Sequence, residues 1–276
     1  MTKPITRQEG RALFGLNPSD YDDARPDYPD ALYKVLLDRQ ALYSGCCALE
    51  IGAGNGLATR KLLALGANPI TVIEPDIRFR SLLNTIAQSH QANFRLIQQS
   101  FEEAALTEAH YDLVACATAF HWLDPETGIN KIASILKPGG YVALWWNVFQ
   151  DLDKADPFHE ATRSLLAPLS TNPSGAPDTL PFALDRQARE SSLANTGLFE
   201  HIEYHETRWT LVLDTSAVGK LYGSFSGLLQ LPEAEQRLLL EKLMDIAQHE
   251  FNGRVERHTT SPLYLARRIA ANQKDG

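Results

Sequence analysis

Only three cysteines occur in 276 residues, two of them adjacent at Cys46 and Cys47 and the third at Cys116. An odd count with no C-x-x-C or Cys/His ligand spacing argues against a disulfide scaffold and against a thiolate zinc site; all three fall in apolar runs and read as buried thiols in a reducing compartment. No stretch approaches the roughly 20 consecutive apolar residues of a membrane span, and the leading MTKPITRQEG lacks the apolar core of a signal peptide, so a cytoplasmic location is expected. Basic runs are equally scarce. The longest is the pair Arg267-Arg268 and the net charge is -8, whereas tracking a phosphate backbone needs a surplus of Lys and Arg, so neither nucleic acid nor an anionic membrane is expected as a partner. The H-E-x-x-H pattern is absent, which makes His159, His201, His205, His249 and His258 surface residues and leaves no metal site to expect. What is abundant is apolar residue: at 44% hydrophobic the chain buries a sizeable core as one large domain with a helical insert, and disorder is not the default.

Short β-branched runs alternate with helix-length segments through the first half. CCALEI, PITVIE, FRLIQQ, YDLVACATA and YVALWWN read as strands, and the alternation predicts an α/β fold with a parallel sheet covered by helices on both faces. Ile129, Ile132, Ala133 and Leu136 follow helical spacing, with Asp124 as N-cap, Pro125 at the first helical position and Pro138-Gly139-Gly140 as the stop before the next strand. Beyond Asp151 the composition shifts, and prolines with Ser, Thr and Gly between them predict an irregular loop around residues 168 to 182. A helix from about Asp185 to Asn195 leads to Gly197 and a long strand, FEHIEYHETRWTLVL. A second helical block from about Thr215 to Phe251 and a final strand from about Pro262 to Arg268 complete the chain.

The first strand ends in Glu50-Ile51-Gly52 and turns through Gly52, Gly54 and Gly56 into a helix beginning near Leu57. Glycines there permit positive φ and bring backbone N–H groups close to a ligand beside the positive end of the helix dipole. The dinucleotide fingerprint needs a glycine where Leu57 stands, so the pattern is G-x-G-x-G, and a nicotinamide-dependent oxidoreductase becomes the less favoured alternative. The second strand ends at Glu74-Pro75-Asp76, where an acid at the carboxyl edge can accept hydrogen bonds from both hydroxyls of a ribose.

Together, E-x-G-x-G-x-G, the acid after strand two, YDLV with its following FHW, and LKPGG resemble a class I S-adenosylmethionine-dependent methyltransferase. FGLNPSDYDDARPDYP, ATAFHWLD and LKPGGYVALWWN resemble more narrowly the trans-aconitate methyltransferase-like group of small-molecule enzymes. The resemblance implies a Rossmann-like, doubly wound sheet of seven mostly parallel strands with the last antiparallel. Helical lid insertions would span 151–195 and 215–251, and a cofactor-covering segment 1–40. It implies that Glu50, Gly52, Ala53, Gly54 and Gly56 wrap the methionine part of S-adenosylmethionine, that Glu74 holds the ribose, and that Pro75 and Asp76 lie against the adenosine. The adenine position falls on Ser100-Phe101-Glu102, where the family's usual Asp is missing and Ser100 or a backbone amide takes its place. Ala117, Thr118 and His121 would line the junction of cofactor and acceptor, and Tyr21 and Arg25 would cover the cofactor.

Several of these positions carry two readings. His121 is either a general base or a side chain that hydrogen-bonds its own loop. Of Trp122, Trp145 and Trp146, at least one is expected to pack the core while another stacks on the sulfonium or the acceptor, and Trp122, Trp146 and Asn147 are the expected acceptor contacts. The expected partner is a small-molecule acceptor, with a carboxylic acid favoured by the resemblance. A cofactor-binding module without catalysis and a nucleic-acid methyltransferase stay open as alternatives; the second is weakened by CATAFHW, which is no base-clamping N/D-P-P-Y/F motif.

Overall fold

β1 (Cys46–Ile51) is buried at every position, as a strand with a neighbour on each side and a covered face above and below must be. In the computed structural model, which describes residues 25–90, 93–169 and 180–270, it pairs in parallel with β2 (Ala67–Ile73) and with β4 (Tyr111–Ala117). β3 (Phe94–Ile97) continues the parallel sheet beyond β2, and β5 (Leu136–Trp145) beyond β4. β7 (Arg254–Arg268) runs antiparallel to β5, and β6 (Phe199–Asp214) antiparallel to β7, so the order is β3-β2-β1-β4-β5-β7-β6. The doubly wound, seven-stranded Rossmann-like sheet expected from the sequence is the observed fold, with its last strand antiparallel. Its order reverses between β1 and β4, which opens a crevice at their carboxyl ends.

Period-two alternation divides the strands between two cores. Cys46 and Ala48 of β1 and Leu113, Ala115 and Ala117 of β4 face one side, where they meet Leu36 of α1 (Asp30–Asp38), Leu62 of α2 (Leu57–Ala64) and Leu83 of α3 (Arg80–Ser89). Cys47, Leu49, Val114 and Cys116 face the other, against Ile132 of α4 (Pro125–Ile135) and Leu193 of α6 (Arg186–Ala194). A third core lies apart from both. It joins Phe158 of α5 (Pro157–Leu166), Val218 and Tyr222 of α7 (Thr215–Gly223), Leu228 of α8 (Ser226–Leu229) and Leu243 of α9 (Glu233–His249) to Leu213 and Val255. Because Asp214 pairs with Arg254, the chain leaves the β6–β7 ribbon and returns at the same level, and α7 to α9 form an insertion seated on the ribbon's far end.

Helix starts follow the capping rule. Asp124, Asp156, Asp185 and Asp214 each accept a backbone N–H three residues on, at 3.0, 2.9, 3.1 and 2.7 Å, and proline follows directly in α4 and α5.

Three boundaries differ from expectation. β7 begins at Arg254 rather than near Pro262, because its first half pairs with β6 and, through an isolated bridge at Thr260, with Val148, and its polar alternation carries no core signal. The Pro138-Gly139-Gly140 stop lies inside β5, at a shift of register between the Tyr111–Leu136 and Leu113–Tyr141 pairs. The block from Thr215 onward is three helices, divided at Ser224-Phe225 and at Leu231-Pro232. α6, within the expected lid span 151–195, packs on α4, β6 and β7 with Leu193 in the second core. Residues 1–24 of the expected covering segment, and 170–179 of the expected loop, lie outside the described residues. Among the described residues no helix is long and apolar enough to cross a membrane, and no group of three or more His, Cys, Asp or Glu is placed to hold a metal.

Candidate cofactor and acceptor site

At the end of β1 the backbone passes through Gly52, Gly54 and Gly56 at φ of 70°, 54° and 80° before entering α2. A side chain at Gly52 would put its Cβ 2.5 Å from the Cβ of Ala119, so the turn lies directly against the loop after β4. Glu74, at the tip of β2, holds the turn from the other side. Its Oε2 accepts the Gly54 N–H at 2.7 Å and its Oε1 the Asp76 N–H at 2.9 Å. Two such bonds leave a carboxylate with acceptor capacity for further donors.

These groups open onto one cavity of about 360 Å³ at the carboxyl ends of the strands. Of the expected cofactor residues, Glu50, Gly52, Ala53 and Gly54 line it from the first turn, Glu74 and Pro75 from the second, and Ser100 and Phe101 from the third. Ala117, Thr118, His121 and Trp122 follow from the end of β4 and its loop, Trp146 and Asn147 from the chain after β5, and Arg25 from the segment before α1. Gly56, Asp76 and Glu102 do not form its wall. A Cβ on Gly56 would stand 2.5 Å from Ile86 Cδ1, so that glycine serves the packing of α2 on α3. Asp76 caps the short turn Ile77–Phe79 and pairs with Arg78 Nη2 at 2.6 Å. Glu102 is exposed, and its carbonyl accepts Lys131 Nζ at 3.0 Å. Tyr21 lies outside the described residues.

Glu50 is 1% exposed. Thr59 Oγ1 donates to its Oε2 at 2.6 Å, while Oε1 is buried with no partner among the described residues. Burial pushes this carboxyl up to about 7, and the neighbouring Glu74 adds to the rise. A buried acceptor without a donor, facing a cavity beside a glycine cradle, suits a ligand that brings its own cationic N–H groups. The residues present therefore fit the amino-acid end and ribose of S-adenosylmethionine.

The opposite wall is aromatic. Thr118, a β-branched residue, is held at φ 51°, a conformation that such residues rarely adopt outside functional sites. Its Oγ1 accepts the Tyr28 hydroxyl at 2.9 Å. Asn147 donates through Nδ2 to the carbonyls of Pro26 and Asp27 at 3.2 and 3.3 Å and accepts Ser261 Oγ at 2.6 Å. Its amide thereby fastens the segment before α1 across the sheet edge, a duty beyond the turn or acceptor contact expected of it. Arg25 extends that segment to the inserted helices. It donates Nη2 to the Ser224 carbonyl at 3.1 Å and lies 4.8 Å from the Phe225 ring centre.

His121, 4% exposed, sits in the short turn Phe120–Trp122. The Trp146 indole N–H donates to its Nδ1 at 3.2 Å, and its ring lies 4.8 Å from Trp122 and 6.2 Å from Phe182. Burial pushes the imidazole down to about 3, so it is neutral at physiological pH and a poor base. Of the tryptophans, Trp145 packs in the first core, edge-on to Tyr28 and Tyr33, and Trp146 in the second. Sequence reasoning missed Tyr28, Phe149, Pro181 and Phe225 in the wall. Tyr28 stands in the YDDARPDYP segment already singled out, but nothing local marks Phe149 or Phe225, which long-range packing of the insertion brings to the cavity.

Residues 49–144 match the family model described as a methyltransferase domain. That segment is similar to methyltransferase domains. An uncharacterized methyltransferase of Schizosaccharomyces pombe is 31% identical over 55% of this chain and 58% of its own length. A methyltransferase-like protein of the same organism is 26% identical over 85% of this chain and 86% of its own. Several of the curated relatives, the first of these included, are therefore matched over little more than half their length. The solved structure of Haemonchus contortus phosphoethanolamine N-methyltransferase 2 with phosphomonomethylethanolamine and S-adenosylhomocysteine shares the fold, with a TM-score of 0.56 at 13% identity over 98% of this chain and 61% of that one. The segment matched at 49–144 holds the glycine turn, Glu74 and His121.

Proposed function

We propose that the chain transfers the methyl group of S-adenosylmethionine to a small-molecule acceptor, with a carboxylic acid as the acceptor class, in the manner of the trans-aconitate methyltransferase-like group. The observation that carries this reading is that a single cavity joins Gly52, Gly54, Glu50 and Glu74 on one side to Trp122, Phe149 and Phe225 on the other. A donor and an acceptor seated in it would share one water-poor space. The bound cofactor supplies an electrophilic methyl on a sulfonium, which in-line displacement removes.

The residues' part is binding and alignment. Glu50 Oε1 would take an ammonium donor, Glu74 the ribose hydroxyls, and Ser100 or a nearby amide the adenine. The segment before α1, fixed by Asn147 and Tyr28, and the inserted helices carrying Phe225 would close the site from solvent. Holding two reactants aligned in this way lowers a barrier by up to about 7 to 11 kcal/mol. An acidic chain of net charge -8 suits a small acceptor better than nucleic acid. Three buried free thiols suit a reducing cytoplasm.

Incubating the protein with a metabolite extract and isotopically labelled S-adenosylmethionine tests the reading. Label is expected in one or a few small carboxylic acids, as their methyl esters. Label confined to macromolecules, or label in no compound, would overturn it.

A further inference from the structure

The His121–Trp146 pair fixes which nitrogen of the imidazole is left to donate. An indole Nε1–H donates and never accepts, so the ring atom it reaches, Nδ1 at 3.2 Å, presents its lone pair. The proton of a neutral ring then resides on Nε2. His121 belongs to the cavity wall, as does Trp146, and the imidazole is confined by the Trp122 and Phe182 rings at 4.8 and 6.2 Å. Taking His121 and the site's methyl-transfer reading together, we propose that Trp146 positions His121 as a hydrogen-bond donor to the acceptor, so that transfer runs without a protein base on acceptors whose nucleophilic oxygen is already ionised.

Of the other polar groups of the described wall, Glu50 Oε1 and Glu74 are the atoms assigned to the cofactor's own donors, and several more hold partners within the chain. Glu50 accepts Thr59 behind the glycine turn, Glu74 is held by the amides of Gly54 and Asp76, and the Tyr28 hydroxyl is given to Thr118. Arg25, the cation of that wall, donates to Ser224 and lies over Phe225. Packed behind His121, Phe182 carries the Arg189 guanidinium 3.4 Å from its ring centre, which places a positive charge rather than a carboxylate on that side. Burial alone holds the imidazole neutral down to about pH 3, with no charged partner contributing.

In the transfer, an oxygen lone pair of the acceptor forms the new bond to the methyl carbon as the carbon–sulfur bond breaks and its electron pair stays on sulfur. A carboxylate becomes a neutral ester, the sulfonium a neutral thioether, and no proton is released. An alcohol would leave a proton that His121, already protonated on Nε2 and with Nδ1 occupied, has no atom to receive.

Nitrogen-15 NMR of the full chain labelled at histidine decides the point without an acceptor. The expected His121 signals are those of the neutral Nε2–H tautomer, unchanged from pH 5.5 to 8.5. An Nδ1–H tautomer, or an imidazolium appearing with a midpoint between pH 6 and 7, overturns the proposal. In Trp146→Phe the Nδ1 signal is expected to shift and the KM for a carboxylate acceptor to rise about tenfold with little change in kcat. His121→Gln, which keeps an N–H donor but is no base, is expected to retain turnover that His121→Ala loses; equal loss in both overturns the donor role. A panel of small carboxylates and the primary alcohols of the same skeletons, offered with labelled S-adenosylmethionine at pH 7.5, adds a direct readout. Methylation of the carboxylates alone supports the proposal, and methylation of the alcohols refutes it. Calorimetric binding of S-adenosylhomocysteine reports separately on the methyl-transfer reading, so failure of that reading leaves the tautomer result distinguishable.

Discussion

The Cβ that Gly52 lacks would stand 2.5 Å from the Cβ of Ala119, whereas a Cβ on Gly54, two residues on, would meet nothing within 4 Å. The end of β1 and the loop after β4 touch at Gly52, and that approach forms the cradle between Glu74 and His121. Gly52→Ala combines a φ of 70° with a backbone-proximal clash and is expected to cost about 1 to 3 kcal/mol of stability and to abolish S-adenosylhomocysteine binding. Gly54→Ala carries the left-handed conformation alone and should cost about 1 to 2 kcal/mol. Thermal denaturation of the two variants checks the order; equal destabilisation would show that the contact with Ala119 is immaterial.

Glu50 makes stability depend on pH with an unusual sign for a carboxylate. Its ordinary value near 4.5 rises to about 7 in the folded chain because burial disfavours the ion. Between those values the folded state keeps a proton that the unfolded state releases, so the contribution is fully present below pH 4.5 and is lost as pH rises through 7. The shift corresponds to about 3 kcal/mol. Denaturant unfolding of Glu50→Gln, whose amide oxygen can still accept Thr59, is expected to remove that fall between pH 5 and 8 and to weaken cofactor binding. An unchanged slope in the variant would place the titration elsewhere.

Arg257 is the keystone of the inserted helices. At 3% exposure it donates Nε to the α5 cap Asp156 at 2.7 Å, Nη2 to the Phe149 carbonyl at 2.8 Å, and Nη1 to the Tyr222 hydroxyl. It thus joins β7, α5, α7 and the bend at Phe149, which enters the cavity wall. Arg257→Met leaves Asp156 without its cation and is expected to destabilise by about 3 to 5 kcal/mol, the range for breaking a buried pair from one side. Hydrogen exchange should rise first in α7 and α9, with β1 and β4 still protected. Uniform exchange across the chain would show that the third core has no separate stability.

Much of this was legible in the sequence because it rests on local rules. The glycine turn, the acid at Glu74, the Asp124-Pro125 helix start and the β-branched runs each announce themselves within a few residues, and a parallel sheet covered by helices follows from their alternation. The start of β7 did not, since the Arg254–Ser261 half pairs with one strand only and its pattern resembles a loop. Nor did the break of the Thr215–Phe251 block into three helices around a core of its own. For the site, what was hidden is protonation. HWL beside WWN says that His121 and Trp146 are near strand ends, but only the packing of β4 against β5 brings the indole N–H onto Nδ1 and buries the ring enough to keep it neutral. The fastening role of Asn147 was hidden for the same reason: its partners Pro26 and Asp27 lie about 120 residues away in sequence.

Calorimetric titration of S-adenosylhomocysteine into the wild-type chain and into Glu74→Ala tests most directly that this cavity is the cofactor site. One ligand per wild-type chain is expected. Affinity in Glu74→Ala should fall about 10- to 150-fold, as loss of a charge-assisted bond of about 1.5 to 3 kcal/mol requires. Absence of binding to the wild type, or equal affinity in the two proteins, would contradict it.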